Sequence, residues 1–314
     1  MVGSLNASGV RASYSTAGSA LWISAPGGQA GKNEAVNPDQ PVVDYEPGLV
    51  TTDLSGCVRG YARHGAKTSF FDEGDVNNPD CDFTNGFDGT SAAAPALSGA
   101  IALLLDARPD LGWRDVKHIL AWTAVKVDPN RPAVIQTGLA RGNYVAELPW
   151  ITNKAGYNFH DWYGFGAVDV DKAVELAGTY DLDTLGKLVV SEWWGLSGLT
   201  LPIPDADAVG VTSKFSKTWA PDITFIEAVQ VAWSATHPLM SDLGLKLTSP
   251  RGTTSILLNI KGGFTTTVGP SDMLLLSNAF YGEDPNGEWK LEVVDGRATN
   301  AGTLTSWAIR IFGH

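Results

Sequence analysis

The residues best suited to chemistry gather in one run, Gly89-Thr90-Ser91-Ala92-Ala93-Ala94-Pro95. Two hydroxyls stand there at the head of an uncharged stretch, rich in Ala and Leu, that extends to Leu105; Asp106, Arg108 and Pro109 mark its exit. The composition predicts a helix, with Pro95 in or near the first turn, where a missing N–H costs little. A hydroxyl at such a place has two uses. It caps, satisfying a free backbone N–H, and helix physics alone favours that reading for Ser91. Alternatively it attacks: the helix end supplies positive potential and free N–H groups for a developing oxyanion. Gly89 would let a substrate backbone approach without a Cβ in the way. The pattern is not the Gly-x-Ser-x-Gly elbow of α/β-hydrolases.

The elements that must hold this run differ on its two sides. Residues 21–24 read as a strand before a Pro26-Gly27-Gly28 turn, and an irregular stretch rich in Gly, Pro and Asp follows as far as Gly89. A helix apolar on every face must be buried on every face in a soluble protein. After it, Val170, Ala173, Val174 and Ala177 mark an amphipathic helix that runs out near Gly178, so a boundary is expected at 177–183. Beyond 184 the signals alternate with period two. Leu243, Leu245 and Leu247 share a face, as do Trp289, Leu291 and Val293, and Trp307, Ile309 and Ile311. Ile223, Phe225, Val229, Val231 and Trp233 fall on one face of a strand, broken at Glu227. Turn chemistry at Ser249-Pro250-Arg251-Gly252, Pro285-Asn286-Gly287 and Asn300-Ala301-Gly302 separates the strands. Short alternating strands with such punctuation predict an antiparallel sandwich or jelly roll, whose Trp residues belong mostly in its core.

The 314 residues carry 22 basic and 34 acidic side chains, a net charge of −12, which disfavours nucleic acid and anionic membrane surfaces as partners. The longest apolar run considered, 100–105, is too short for a membrane span. No signal peptide is visible at residues 1–10. Two Cys, 57 and 81, cannot build a disulfide framework or a four-thiolate zinc site. One bridge between them would close the loop ahead of Ser91 and imply an oxidising compartment; two separate buried thiols are the alternative. The run from Asp72 to Asp82 holds many oxygen donors, but its spacing is not that of an EF-hand and a solvated loop is the favoured reading.

Taken with its surroundings, the run at 89–95 resembles the active-site serine motif of subtilisin-like proteases of the kexin/furin branch. Gly9-Val10-Arg11-Ala12-Ser13-Tyr14-Ser15, Ser24-Ala25-Pro26-Gly27, Val50-Thr51-Thr52-Asp53-Leu54, Trp113 to His118, and Tyr163-Gly164-Phe165-Gly166-Ala167-Val168-Asp169 resemble segments around that serine. Ser241-Asp242-Leu243, Leu247 to Thr253, Asn286-Gly287-Glu288-Trp289 and Gly302 to Trp307 are similar to the P domain (Homo B module) that follows such catalytic domains. The resemblance implies a partial subtilisin-like α/β fold over 1–183, a parallel sheet around a buried central helix, then an all-β jelly-roll or sandwich P domain over 184–314. It implies serine endopeptidase chemistry on polypeptide substrates, with Ser91 as nucleophile, the Ser91 N–H as oxyanion donor and Thr90 supporting that hole. It also implies an exported protein, with calcium as a family-level expectation; no metal ligand is assigned.

The family's Asp and His motifs, and the Gly-Asn pair of its oxyanion hole, are absent upstream of Ser91. His64, 27 positions before it, reads as a loop residue, and His118 as a group outside the triad. The expectation is therefore a C-terminal part of a protease, inactive alone, with the missing N-terminal part of the catalytic domain as its partner and helix 91–105 under-covered. The competing reading is a non-catalytic relative acting as a β-sandwich interaction module.

Overall fold

The computed structural model describes residues 1–29, 32–33, 43–44, 47–65, 76–260 and 271–314. The chain forms two compact units. The first comprises Met1–Thr16, Ile23–Asp128 and Ala167–Tyr180; the second Ala17–Trp22, Pro129–Gly166 and Asp181–His314.

In the first unit, β1 (Val2–Leu5) and β2 (Ile23–Pro26) pair in parallel. This is the one parallel strand pair among the described residues, so little of the parallel sheet expected for the first half is seen. The two-residue strands β3 (Lys32–Asn33) and β4 (Val43–Asp44) pair antiparallel, as do β5 (Leu49–Thr52) and β6 (Phe83–Phe87). Helix α1 (Thr90–Ala107) packs on β1, β2 and α3 (Val170–Thr179), which also meets α2 (Trp113–Thr123). The Asp169 carboxylate caps α3 by accepting the Lys172 N–H.

Helix α1 is not buried on every face. Ala93, Leu97, Ala100 and Leu104, spaced 4-3-4, form one covered stripe together with Ala92. Ser98, Gly99, Ala102, Leu103 (54% exposed) and Leu105 (38%) lie open. The under-covered helix expected from the sequence is what the fold presents. Its 18 residues reach a mean hydropathy of 1.4, enough by length and composition alone to cross a membrane, a test that the core helix of a soluble protein also passes. The reason is that Ala, Gly and Ser add length without charge until Asp106.

In the second unit, β7 (Val134–Leu139) and β8 (Gly142–Glu147) form a hairpin, and β9 (Ile151–Thr152) pairs with β10 (Asn158–Phe159). Two antiparallel sheets follow. One takes β11 (Val189–Val190), β12 (Trp194–Leu196) and β13 (Leu201–Ile203) along β20 (Gly302–Gly313), then β15 (Ile226–Thr236) and β18 (Met273–Ser277). The other orders β14 (Asp207–Lys217), β19 (Gly287–Asp295), β16 (Leu243–Thr248) and β17 (Thr254–Leu258). The alternating apolar residues point inward into one core, in which Trp233, Trp289 and Trp307 are almost wholly buried. The face read through Phe225 and Glu227 is not kept: a bulge between Ile226 and Ala228, where β15 meets β20, puts Ile226 in the core in place of Phe225. Trp194 departs from the core pattern: it is exposed and carries the Lys217 ammonium 4.1 Å above its ring.

Candidate functional site

Strand β6 delivers the chain to Asp88, Gly89 reverses it, and α1 begins at Thr90. Gly89 takes φ 106° and ψ 166°, a region open almost only to glycine. Its carbonyl starts the helix by accepting from Ala92 N (2.9 Å) and Ala93 N (3.2 Å). Gly89, not Ser91, is therefore the N-cap, and no side chain caps this helix. The capping role that helix physics favoured for Ser91 is not realised. Ser91 is the second helical residue, exposed, with no partner for its hydroxyl among the described residues. Thr90 beside it is exposed too. The backbone N–H groups of both belong to the first turn, where helices leave donors unpaired. Pro95 lies in the second turn, not the first; it removes the N–H that would have bonded the Ser91 carbonyl four residues back.

The turn is anchored from two other segments. Gly89 N–H donates to the Tyr14 hydroxyl (2.8 Å) and to Gly27 O (3.1 Å). The Tyr14 hydroxyl also meets Gly27 O at 2.8 Å, Gly28 O, and Ser4 Oγ at 2.9 Å. Gly27 admits no side chain, since a Cβ would stand 2.0 Å from Ser4 Oγ and 2.8 Å from Gly89 O. Both Tyr14 and Gly27 lie in motif segments visible in the sequence, but nothing there signals that they converge on Gly89.

Cys57 and Cys81 are bonded (S–S 2.00 Å). The bridge closes the β5–β6 connection with Asp53 N→Asp82 O and Gly56 N→Asp80 O. Partial burial pushes the Asp53 carboxyl up, but it accepts the N–H groups of Ala62, Leu54 and Tyr61, and these bonds together, with the nearby Arg63 charge, hold it below the usual range. By chain entropy a loop of this length contributes about 3 kcal/mol. His64 is an exposed loop residue whose N–H bonds Cys57 O, and His118 stacks on Trp122 in α2. His160 and His237 are buried in the second unit, and His314 meets Glu227. Among the described residues no imidazole or carboxylate hydrogen-bonds the Ser91 hydroxyl, and no group of three His, Cys, Asp or Glu is placed to hold a metal. Asp72–Asp75 of the acidic run lie outside the described residues.

Residues 1–166 match the Subtilase family, just over half of the chain, and residues 226–311 match the Proprotein convertase P-domain. The chain belongs to the subtilase family. The Aeromonas extracellular serine protease of Aeromonas sobria is 36% identical over 100% of this chain and 54% of its own length. The crystal structure of a serine protease of Aeromonas sobria superposes with a TM-score of 0.87 at 35% identity, covering 100% of this chain and 57% of that one. A further crystal structure holds the Aeromonas sobria protease in complex with a chaperone. Furin-1 of Xenopus laevis is 31% identical over 73% of this chain and 27% of its own length. The chain thus spans about half the length of the first two of these proteases.

Proposed function

We propose that this subtilase chain is the nucleophile-bearing part of a serine endopeptidase, with Ser91 as the residue acylated by substrate. One observation carries the reading: the Ser91 hydroxyl is exposed at the head of α1, unspent on capping because glycine already ends the turn. The helix end favours negative charge, and the Ser91 N–H is an orphan donor suited to an oxyanion, with the Thr90 hydroxyl beside it. In the reaction Oγ bonds the peptide carbonyl carbon, its proton passes to an imidazole and then to the departing amine as the C–N bond breaks, and water releases the acyl group. That imidazole and its carboxylate must come from polypeptide other than these residues, docked against the open face of α1. Without a base the serine has an ordinary alcohol pKa and attacks slowly. Calcium enters only as a family expectation, since the described residues offer no ligand set for it. An extracytoplasmic location is supported by the disulfide and by a relative named as extracellular.

The test is a fluorophosphonate probe applied to the chain alone and to the chain mixed with the part of the Aeromonas sobria protease that it does not cover. Labelling should appear in the mixture, run at least about a thousandfold slower in the chain alone, and vanish in Ser91→Ala. Labelling that persists in Ser91→Ala, or a mixture that stays unlabelled, overturns the proposal. The second outcome would favour the non-catalytic sandwich module, a reading supported by the absence of a hydrogen-bonded imidazole at Ser91 among the described residues.

A further inference from the structure

Glycine at 89 solves one problem and creates another. It alone accepts the turn's dihedral angles, yet without a Cβ it offers little intrinsic resistance to rotation. Ser91 follows two residues later, and the Gly89 carbonyl opens the helix, so any swing of this peptide carries the serine N–H and Oγ with it. A displacement of about 1 Å in such a group can cost a hundredfold in rate. Something outside the turn must hold it.

The structure assigns that task to Tyr14. A phenol has one proton and two lone pairs, and here all are engaged. The proton goes to one of two adjacent glycine carbonyls, Gly27 O at 2.8 Å or Gly28 O. The lone pairs receive the Gly89 N–H at 2.8 Å and the Ser4 hydroxyl at 2.9 Å. One oxygen thereby ties β1, the loop after β2 and the turn before α1. The Gly89 N–H is shared between Tyr14 Oη and Gly27 O (3.1 Å), so the peptide is gripped from two directions. Tyr14 is a positioning residue, not a catalytic one: it touches the turn and not the serine. Its functional meaning rests on Ser91 being the nucleophile proposed above.

Tyr14→Phe keeps the ring and deletes the one oxygen. In the full chain labelled with 15N-glycine, amide exchange at Gly89 should rise about tenfold while other glycines and the unfolding midpoint stay put. In the reconstituted mixture the maximal rate of fluorophosphonate labelling should fall about tenfold with the half-saturating probe concentration unchanged, a loss of orientation and not of binding. Gly89 exchange equal to wild type overturns the assignment. So does a rise at Gly89 matched by the other labelled glycines together with a lowered midpoint, since that describes ordinary structural support. If wild-type Ser91 itself is never labelled, the nucleophile reading fails, and Gly89 exchange alone then decides whether the clamp exists.

Discussion

Ser91 owes its exposed hydroxyl to the residue two before it. With Gly89 taking the cap, the serine is released from the role its type most often plays at helix starts. A second unusual group lies far along the chain. Asp161, a half-buried residue in the second unit, has a carboxyl raised to about 7, first by desolvation and then by the neighbouring Glu147 charge. Because its folded pKa exceeds the unfolded value, the folded state binds the proton more tightly. Its contribution is therefore most favourable below about pH 4 and declines as pH rises through about 7. A 13C titration of Asp161 should give a midpoint near the upper value, and Asp161→Asn should flatten the fall in stability across that window. A midpoint near 4 would show the site to be wetter than described. At this scale the sequence announced Ser91 and Thr90 by type and position. It could not announce Asp161 or the Tyr14 contacts, because each depends on chain segments brought together only by folding.

Helix α1 was legible as an element, since an uncharged Ala/Leu run allows little else. Its apolar composition alone pointed to burial on every face; the open side was legible only from the absent upstream motifs, because coverage belongs to a helix's neighbours. The stripe at Ala93, Leu97, Ala100 and Leu104 carries the packing. Leu104→Ala should cost about 2–5 kcal/mol in urea unfolding, as buried leucines do, whereas Leu103→Ala should fall within about 0.5 kcal/mol. Equal costs would mean that the open face is covered in solution. The strands of the sandwich were the clearest reading, because period-two alternation reports one buried face directly; the bulge that puts Ile226 in the core in place of Phe225 was not part of it. The β7–β8 hairpin went unseen. Its outward residues Val134 and Ile135 are apolar and its inward Tyr144 is polar at the tip, which blurs the alternation.

The whole molecule is less linear than its order of motifs. The second unit gathers 17–22 and 129–166 with the sandwich residues, so the β-module is supported by chain that precedes it. Tyr144 lies over Gly244, where a Cβ would stand 2.5 Å from its hydroxyl, and Lys246 sits 4.1 Å above the ring. Arg141 pairs with the Asp207 carboxylate, and this contact, with bonds from the Val209 and Gly210 N–H groups, holds that carboxyl down to about 2. Residues 184–314 made alone should therefore unfold at lower urea concentration than the same strands in the full chain. The fluorescence of Trp233, Trp289 and Trp307, all in that core, would report it. Matching midpoints would show that the hairpin adds nothing.

The glycine turn also has a genetic reading. Every missense base change in a glycine codon adds a side chain, and position 89 sits at dihedral angles where side chains are scarcely tolerated. Libraries of this chain made by error-prone amplification and selected for fluorophosphonate labelling in the reconstituted mixture should return only silent variation at that codon.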